Sequence, residues 1–547
     1  MYITIAIIAL VAVVGFFAYR ALSRKDLPVE PTHVIQSGKD RSWTSPVFST
    51  SGAFFIKPWL QPGLNGTYGA NNGLESLQIL FHVLSDKSER KEFMVEIELA
   101  STGEKTRITP DARLITVHGV PEQVQFSAKV ENLPAGALFK YRVLMGGREI
   151  YSACATARKA MGSPFRAIIF GDMGNGSPGQ RKLAYQLGLP RPAAHIAADI
   201  SASAAAVDTV AMTYVKPQGA DIIISAGDVV YQHGRYAEYL SKFFAVYQNE
   251  NPAADRGSNI LASTVSLSCV GNHDMAKLDP ETLVSFDDYP DLMAFFALWS
   301  LPLNGPNNSQ ASGGSGRNHP PLAAENNHSA LRDLVSSAGE RYPRMANFVY
   351  EYGNAHFLFL DANAYMDWTD EAMRRWVEDD LKSVAPGMWK IVVLHQPPFT
   401  SNIGHQREQG MRFLSDIFER NGVSVVFAGH AHVYERSFPL KFVPAGGLKP
   451  SAQLEGGYIP GQITLDRKYD GVTNTRPDGV IYIVTGGGGA KLDSKLLHAN
   501  PALWQTFTDR LVGDRHSFSL ADFSPEKMEV VQYDADGIEL DRFAITR

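Results

Sequence analysis

Seven side chains suited to metal ligation stand at or just past the ends of apolar runs: Asp172, Asp228, Tyr231, Asn272, His395, His430 and His432. Their settings are Gly171-Asp172-Met173-Gly174, Gly227-Asp228-Val229-Val230-Tyr231, Gly271-Asn272-His273-Asp274, Val392-Val393-Leu394-His395 and Gly429-His430-Ala431-His432. Two cations about 3.5–4 Å apart repel each other, so a dinuclear site needs a shared anionic bridge. A carboxylate has two oxygens for that role, and Asp228 is the natural candidate. Asp172 then serves one ion and Asn272 the other. The three histidines add borderline imidazole donors. His430 and His432 are two apart, so in extended chain both rings face one side. Tyr231 is the most discriminating residue. A phenol of pKa ~10 is recruited weakly by a divalent ion, whereas a hard trivalent ion favours the phenolate.

The elements that must carry these residues fall into two styles. From about residue 52 to 159 the chain reads as short strands: Leu77–Val83, Phe93–Leu99, Ala112–Val117, Gln123–Val130 and Phe139–Met145. Turn residues such as Asn132 to Gly136 separate them, which predicts a β-sandwich of roughly one hundred residues. After Ser163-Pro164 the runs become apolar throughout, at 167–170, 221–225, 265–270, 357–360, 391–394, 423–428 and 481–484. Such runs suit strands buried on both faces. Helical patterns lie between some of them. One spans Asp370 to Val384 with Thr369 or Asp370 as cap, and another spans Gln409 to Asn421 and stops at Gly422. Thr485 followed by Gly486 to Gly489 reads as a tight loop under the site that supplies no ligand. Asn304–Glu325 and Pro444–Asp478 read as loose surface insertions.

The 547 residues allow two or three domains. A net charge of −6 gives no reason to expect nucleic acid as a partner. Cys154 and Cys269 are too few for a disulfide framework and read as buried core thiols. Met1 to Tyr19 carries no charged side chain and is long enough to cross a bilayer as a helix. It lacks the basic start and cleavage site of a signal peptide, so the expectation is an uncleaved single-pass membrane anchor. Arg20, Arg24 and Lys25 favour a cytoplasmic flank, yet a long domain translocates despite nearby charge. The expected location of the catalytic domain is therefore extracytoplasmic.

The ordered set Asp172-x-Gly174, Gly227-Asp228-x-x-Tyr231, Gly271-Asn272-His273-Asp274, Val392-x-x-His395 and Gly429-His430-x-His432, continued by Tyr434-Glu435-Arg436, resembles the purple acid phosphatase family of the calcineurin-like metallophosphoesterases. The resemblance implies an α/β fold, a four-layer αββα sandwich. It would be preceded by a fibronectin type III-like β-sandwich and the transmembrane helix. The boundaries would be 1–22 for the anchor, 23–50 for a linker, 51–160 for the fibronectin-like domain and 163–547 for the catalytic domain with its closing strands. It implies Fe(III) on Asp172, Asp228, Tyr231 and His432. A divalent Fe, Zn or Mn would lie on Asp228, Asn272, His395 and His430. The implied activity is that of an acid phosphatase-like hydrolase of small phosphorylated substrates, acting by attack of a metal-bound hydroxide. His273 matches the family histidine that contacts phosphate and assists the leaving group, and His405 matches one of its pocket histidines. The chain departs from the family at Gly404, where a second pocket histidine is expected.

Two other functions compete. One is a phosphodiesterase or nucleotide pyrophosphatase on the same metal core. The other is a membrane-anchored binding protein with a vestigial site, against which the intact ligand set argues. Glu435 and Arg436 fit either structural ion pairs or contacts that orient ligands.

Overall fold

Two four-stranded antiparallel sheets open the described chain. The first runs in the order Ile56–Pro62, Leu74–Leu84, Gln123–Pro134 and Asp111–Ile115. The second runs Lys105–Ile108, Phe93–Leu99, Leu138–Met145 and Arg148–Thr156. Phe81 and Phe126 of the first sheet stack at 5.2 Å, and Phe93 of the second closes on both at 5.5 and 4.7 Å. This is the expected sandwich, with three strands that the sequence pattern had not marked. The computed structural model describes residues 52–68, 74–85, 92–189, 219–276, 284–306, 328–448, 453 and 457–547. The expected anchor at 1–22, the linker at 23–50 and most of the 304–325 insertion lie outside these residues. Among the described residues no helix is long and apolar enough to cross a membrane.

The remainder is built on two mixed sheets. The six-stranded sheet runs Val265–Ser268, Ile222–Ser225, Phe165–Phe170, Ser517–Phe523, Lys527–Asp534 and Glu539–Thr546. Its first three strands are parallel and the rest antiparallel. The seven-stranded sheet runs Phe348–Tyr352, Ala355–Phe359, Trp389–Val393, Val425–Ala428, Ile481–Thr485, Tyr434–Ser437 and Thr508–Val512. Its four inner strands, from Ala355–Phe359 to Ile481–Thr485, are parallel.

Period-two alternation explains the layering. Phe357, Ile391, Val393, Val425, Phe427, Ile481 and Ile483 share a core with Phe165, Ile169 and Phe523 of the other sheet. Phe165 and Phe523 stack at 4.6 Å, with Phe357 edge-on at 5.9 Å to Phe523. The intervening Leu358, Val392, Leu394, Val426 and Tyr482 face Met373, Val377, Leu381, Ile417 and Phe418. Met373, Val377 and Leu381 lie on the helix Glu371–Ser383, whose cap is Asp370, accepting from the Met373 amide. The second expected helix starts as a tight 3-10 turn at Gly410–Leu414 and becomes α-helical over Ser415–Arg420. On the far side of the six-stranded sheet, Leu187, Phe243 and Tyr247 close over Phe170 and Ile223.

The sandwich and the α/β part share one apolar cluster. Trp59 packs edge-on against Phe244 at 5.4 Å and Trp299 at 5.1 Å. Polar seams run alongside. Gln61 donates to the Ser266 carbonyl at 3.1 Å, and the Tyr141 hydroxyl donates to the Ala262 carbonyl at 2.7 Å. Buried His82 sits between Gln123 and Gln125, and Tyr236 donates to Gln123 at 2.8 Å.

Two expectations need correction. The 444–478 stretch is not loose throughout: its Gly461–Leu465 forms a strand antiparallel to Leu440–Pro444, where polar Lys441 and exposed Gln462 mask the alternation. Cys154 is a half-buried free thiol on a sandwich strand rather than a core residue; Cys269 is buried and free.

Candidate metal centre

All five ligand-bearing segments leave the C-terminal ends of parallel strands, where open α/β sheets place their sites. Asp172, Asp228 and Asn272 come from the six-stranded sheet, His395 and His430 from the seven-stranded one. The turns that expose them are tight. Asp172, Asp228 and His430 all hold left-handed backbone, with φ of 59°, 51° and 69°. For residues with a Cβ this is uncommon and is retained mainly where function demands it. Gly271 and Gly486 exist for close approach. A Cβ on Gly271 would overlap the Asp228 carboxylate, and one on Gly486 would overlap the Ala431 carbonyl and crowd Asp172. The glycine loop thus lies under the site as expected.

The seven predicted side chains come together as two poles joined by Asp228. At one pole the Tyr231 hydroxyl donates to Asp172 Oδ1 at 2.7 Å and lies 3.1 Å from His432 Nε2. His432 Nε2 is 3.5 Å from Asp172 Oδ1. At the other pole Asn272 Oδ1 lies 3.1 Å from both His395 Nε2 and His430 Nδ1. Asp228 Oδ2 reaches His395 Nε2 at 3.3 Å, and its carboxylate also acts on the Tyr231 phenol. Donor atoms of Asp172, Asp228 and His395 all lie within 4.8 Å of one another.

The ring tautomers are set from behind, as metal-ligating histidines require. His395 Nδ1 donates to the Ala226 carbonyl at 2.7 Å, and His432 Nδ1 donates to the Lys491 carbonyl at 2.7 Å. Each therefore presents Nε2 to its pole. His430 is turned the other way, with Nδ1 inward and Nε2 2.7 Å from Glu408 Oε2. Glu408 also accepts from His405 Nδ1 at 3.0 Å, and the His405 ring leans on His430 with centroids 4.0 Å apart. Glu408 stands outside all five ligand-bearing motifs. Its place three residues after a pocket histidine was the available signal.

Burial and the clustered carboxylates shift the titratable groups of the site in different directions. Burial pushes the His395 ring down, but Asp228 outweighs it and raises the ring to about 10. Burial likewise opposes His432, and Asp172 lifts it to about 9. Burial, with His405 alongside, takes His430 down to about 4 against the pull of Glu408. Burial and then Asp228 raise Asp274 to about 7; it accepts from the Gly271 and Val229 amides and from Tyr239. Burial, Asp172 and Asp228 hold the Tyr231 phenol well above its ordinary value.

His273 and His405 flank the poles. The His273 amide donates to Asp228 Oδ1 at 2.8 Å, and its Nε2 stands 3.9 Å from Asp228 Oδ2. Of the two unassigned motif residues, Arg436 pairs with Asp509 and Asp541 at 2.7 Å each and is structural. Glu435 accepts from Thr400, Ser401 and Thr508 and so pins the segment between His395 and His405.

Residues 165–434 match the family model described as calcineurin-like phosphoesterase, which spans all seven candidate ligands. Purple acid phosphatase 23 of Arabidopsis thaliana is 32% identical over 94 residues, covering 16% of this chain and 20% of that protein. Purple acid phosphatase 18 of the same plant is 28% identical over 167 residues, covering 29% and 35%. A nucleotide pyrophosphatase/phosphodiesterase of Hordeum vulgare is 26% identical over 219 residues, covering 37% and 51%. The matched stretches thus span between 20% and 51% of these relatives' lengths. The solved structure of purple acid phosphatase PPD1 from yellow lupin, Lupinus luteus, shares the fold, with a TM-score of 0.55 and 16% identity over 90% of this chain and 75% of that one. Residues 165–434 thus form a calcineurin-like phosphoesterase domain, and in sequence the chain is similar there to purple acid phosphatases.

Proposed function

We propose that this protein is a dinuclear-metal phosphomonoesterase acting on small phosphorylated substrates. One observation carries the reading: seven hard or borderline donors from five strand ends converge on two poles, with Asp228 between them. The fit to two cations rests on donor chemistry. Each inward ring nitrogen is the one its outward hydrogen bond leaves available. Asp172, Tyr231 and His432 would hold Fe(III), the ion hard enough to draw a phenolate. Asn272, His395 and His430 would hold a divalent Fe, Zn or Mn, and Asp228 would bridge. Bound there, the pair supplies Lewis acidity toward a phosphoryl group and activates water.

The chain's own residues do the rest. Asp228 fixes the spacing of the poles. His273 presents Nε2 beside Asp228, where as the imidazolium it can contact a phosphoryl oxygen and pass its Nε2 proton to the leaving oxygen, becoming the neutral ring with its hydrogen on Nδ1. His405 forms the wall above His430. This reading also keeps the fibronectin type III-like origin of the sandwich, supported by its two facing antiparallel sheets. The single-pass anchor and extracytoplasmic placement rest on the apolar run at 1–19, and protease accessibility in intact cells tests them.

Metal analysis of purified protein, its visible spectrum and a panel of phosphomonoesters and phosphodiesters test the assignment. Two metals per chain, a purple-to-pink colour bleached by Tyr231→Phe, and preference for monoesters are expected. A chain without tightly bound metal overturns it. Preference for diesters or nucleotide pyrophosphates would establish the competing activity.

A further inference from the structure

The loop after Tyr231 is tied down more heavily than its helix needs. The short helix Tyr236–Glu238 is capped by Arg235, whose amide donates to Glu238 Oε2 at 3.1 Å. That bond is an ordinary capping contact. The same carboxylate also accepts from the His233 amide at 3.0 Å and from the Gln232 amide, so three backbone N–H groups of one loop converge on it. Lys242 completes the arrangement. Its ammonium pairs with Glu238 Oε1 at 3.1 Å and donates to the Tyr231 carbonyl. Glu238 and Lys242 therefore hold both flanks of the peptide linking Tyr231 to Gln232.

The next peptide, Gln232 to His233, also has its N–H on Glu238, at 3.0 Å, and its carbonyl meets His273. The Gln232 carbonyl accepts from His273 Nδ1 at 2.7 Å. A carbonyl only accepts, so Nδ1 keeps its hydrogen and Nε2 is the nitrogen turned toward Asp228. The Tyr231 ring backs the imidazole with centroids 4.3 Å apart. The tautomer and tilt of His273 are thus set by a carbonyl whose own position is set by Glu238 and Lys242.

We infer that Glu238, with Lys242, is a positioning residue for leaving-group protonation: it holds the Gln232 carbonyl that aims His273 Nε2 at the reacting phosphoryl group. This rests on the reading of His273 given above. The Glu238 carboxylate and the Lys242 ammonium reach each other and backbone atoms of this loop, not the metal-donor atoms of the seven candidate ligands. Their loss should spare metal binding and good leaving groups, and should slow esters whose leaving oxygen needs a proton.

The experiment compares kcat/KM for an alkyl phosphate and a dinitrophenyl phosphate in the metal-loaded wild type, Glu238→Gln, Lys242→Met, His273→Asn and the Glu238→Gln/His273→Asn double variant. Metal content and circular dichroism are measured alongside. General acid catalysis is typically worth about 10²–10⁴-fold. His273→Asn should therefore lose at least about 10²-fold on the alkyl ester and far less on the activated one. Glu238→Gln and Lys242→Met should each lose about 10-fold on the alkyl ester with metal content unchanged, and the Glu238 effect should vanish in the His273→Asn background. Equal losses on both esters, loss of metal, additivity in the double variant, or no loss overturns the inference while leaving His273 its role. A His273→Asn enzyme with no leaving-group dependence overturns the His273 reading and the inference together. Should Glu238→Gln fail to fold, Lys242→Met and its double with His273→Asn decide by the same criteria.

Discussion

At their starts the strands flanking the site carry Arg166, Asp221 and His356, and each charge meets a partner within its own neighbourhood. Arg166 forks onto Asp522 with two contacts of 2.6 Å, Asp221 meets Lys159 at 3.2 Å, and His356 lies between Asp380 at 2.8 Å and Glu351 at 3.1 Å. At the other ends of the same sheets, Asp172, Asp228 and Asp274 are buried within reach of one another's fields, and the rings of His395 and His430 turn their inner nitrogens toward a common point. The first arrangement is complete without a ligand. The second leaves donors aimed inward on left-handed backbone, which is costly unless a cation completes it. One pair of sheets thus keeps structural charge at one end and chemical charge at the other. Substitutions at the two ends should separate stability from catalysis.

The largest effect belongs to Asp228→Ala. It removes the carboxylate common to both poles, so metal content should fall below one ion per chain. Activity on an aryl phosphate should drop well beyond the about 10–100-fold that loss of an outer contact costs. Elemental analysis and initial rates check this; retained metal and rate would remove Asp228 from the bridge. Arg166→Ala is the matching test at the opposite end. It strands the half-buried Asp522, so unfolding free energy should fall by at most about 3–5 kcal/mol in a denaturant melt. The fraction that remains folded should keep its specific activity. A large change in kcat would break the separation of the two ends.

The ends also differ in how openly the sequence displayed them. The candidate ligands were legible because each follows a strand, and strands buried on both faces are unmistakable apolar runs. Phe93–Leu99 has the predicted bounds, and Ile222–Ser225 and Ile481–Thr485 depart from the predicted ones by a single residue. Glu408 was not legible. Its partner His430 lies 22 positions away in sequence, and only the fold returns one to the other. Glu238 and Lys242 hid for a different reason. Four apart on a helix, they look like any exposed ion pair, and nothing local shows that Tyr231, Gln232 and His233 close around them. The pairing of Leu440–Pro444 with Gly461–Leu465 escaped because an edge with one polar face and a long intervening loop has no continuous alternation.

Glu408→Gln probes the boundary between strand-end ligands and the loop wall. Glu408 holds His430 by its outer nitrogen, so the amide should weaken the divalent ion by about 10–100-fold while the Tyr231 pole keeps its metal. A chelator titration followed by metal analysis distinguishes the two. Equal loss from both poles would mean that the loop wall supports the whole site rather than one half of it.

The smallest effect is a pH dependence at the structural end. Burial opposes the charge on His356, but Asp380 and Glu351 outweigh it and raise the ring from 6.5 to about 9. A folded-state pKa above the unfolded one means that the folded protein binds the proton more tightly. The stabilisation is therefore complete below 6.5 and is lost as pH rises toward about 9. The slope for one proton approaches about 1.4 kcal/mol per pH unit, so wild type should lose about 1 kcal/mol relative to His356→Asn between pH 7 and 8. Comparing the two proteins, both metal-loaded, cancels the titrations they share. A difference that stays flat across this range would mean that His356 is held neutral. The starts of the strands would then store buried carboxylates unbalanced, as the other end does.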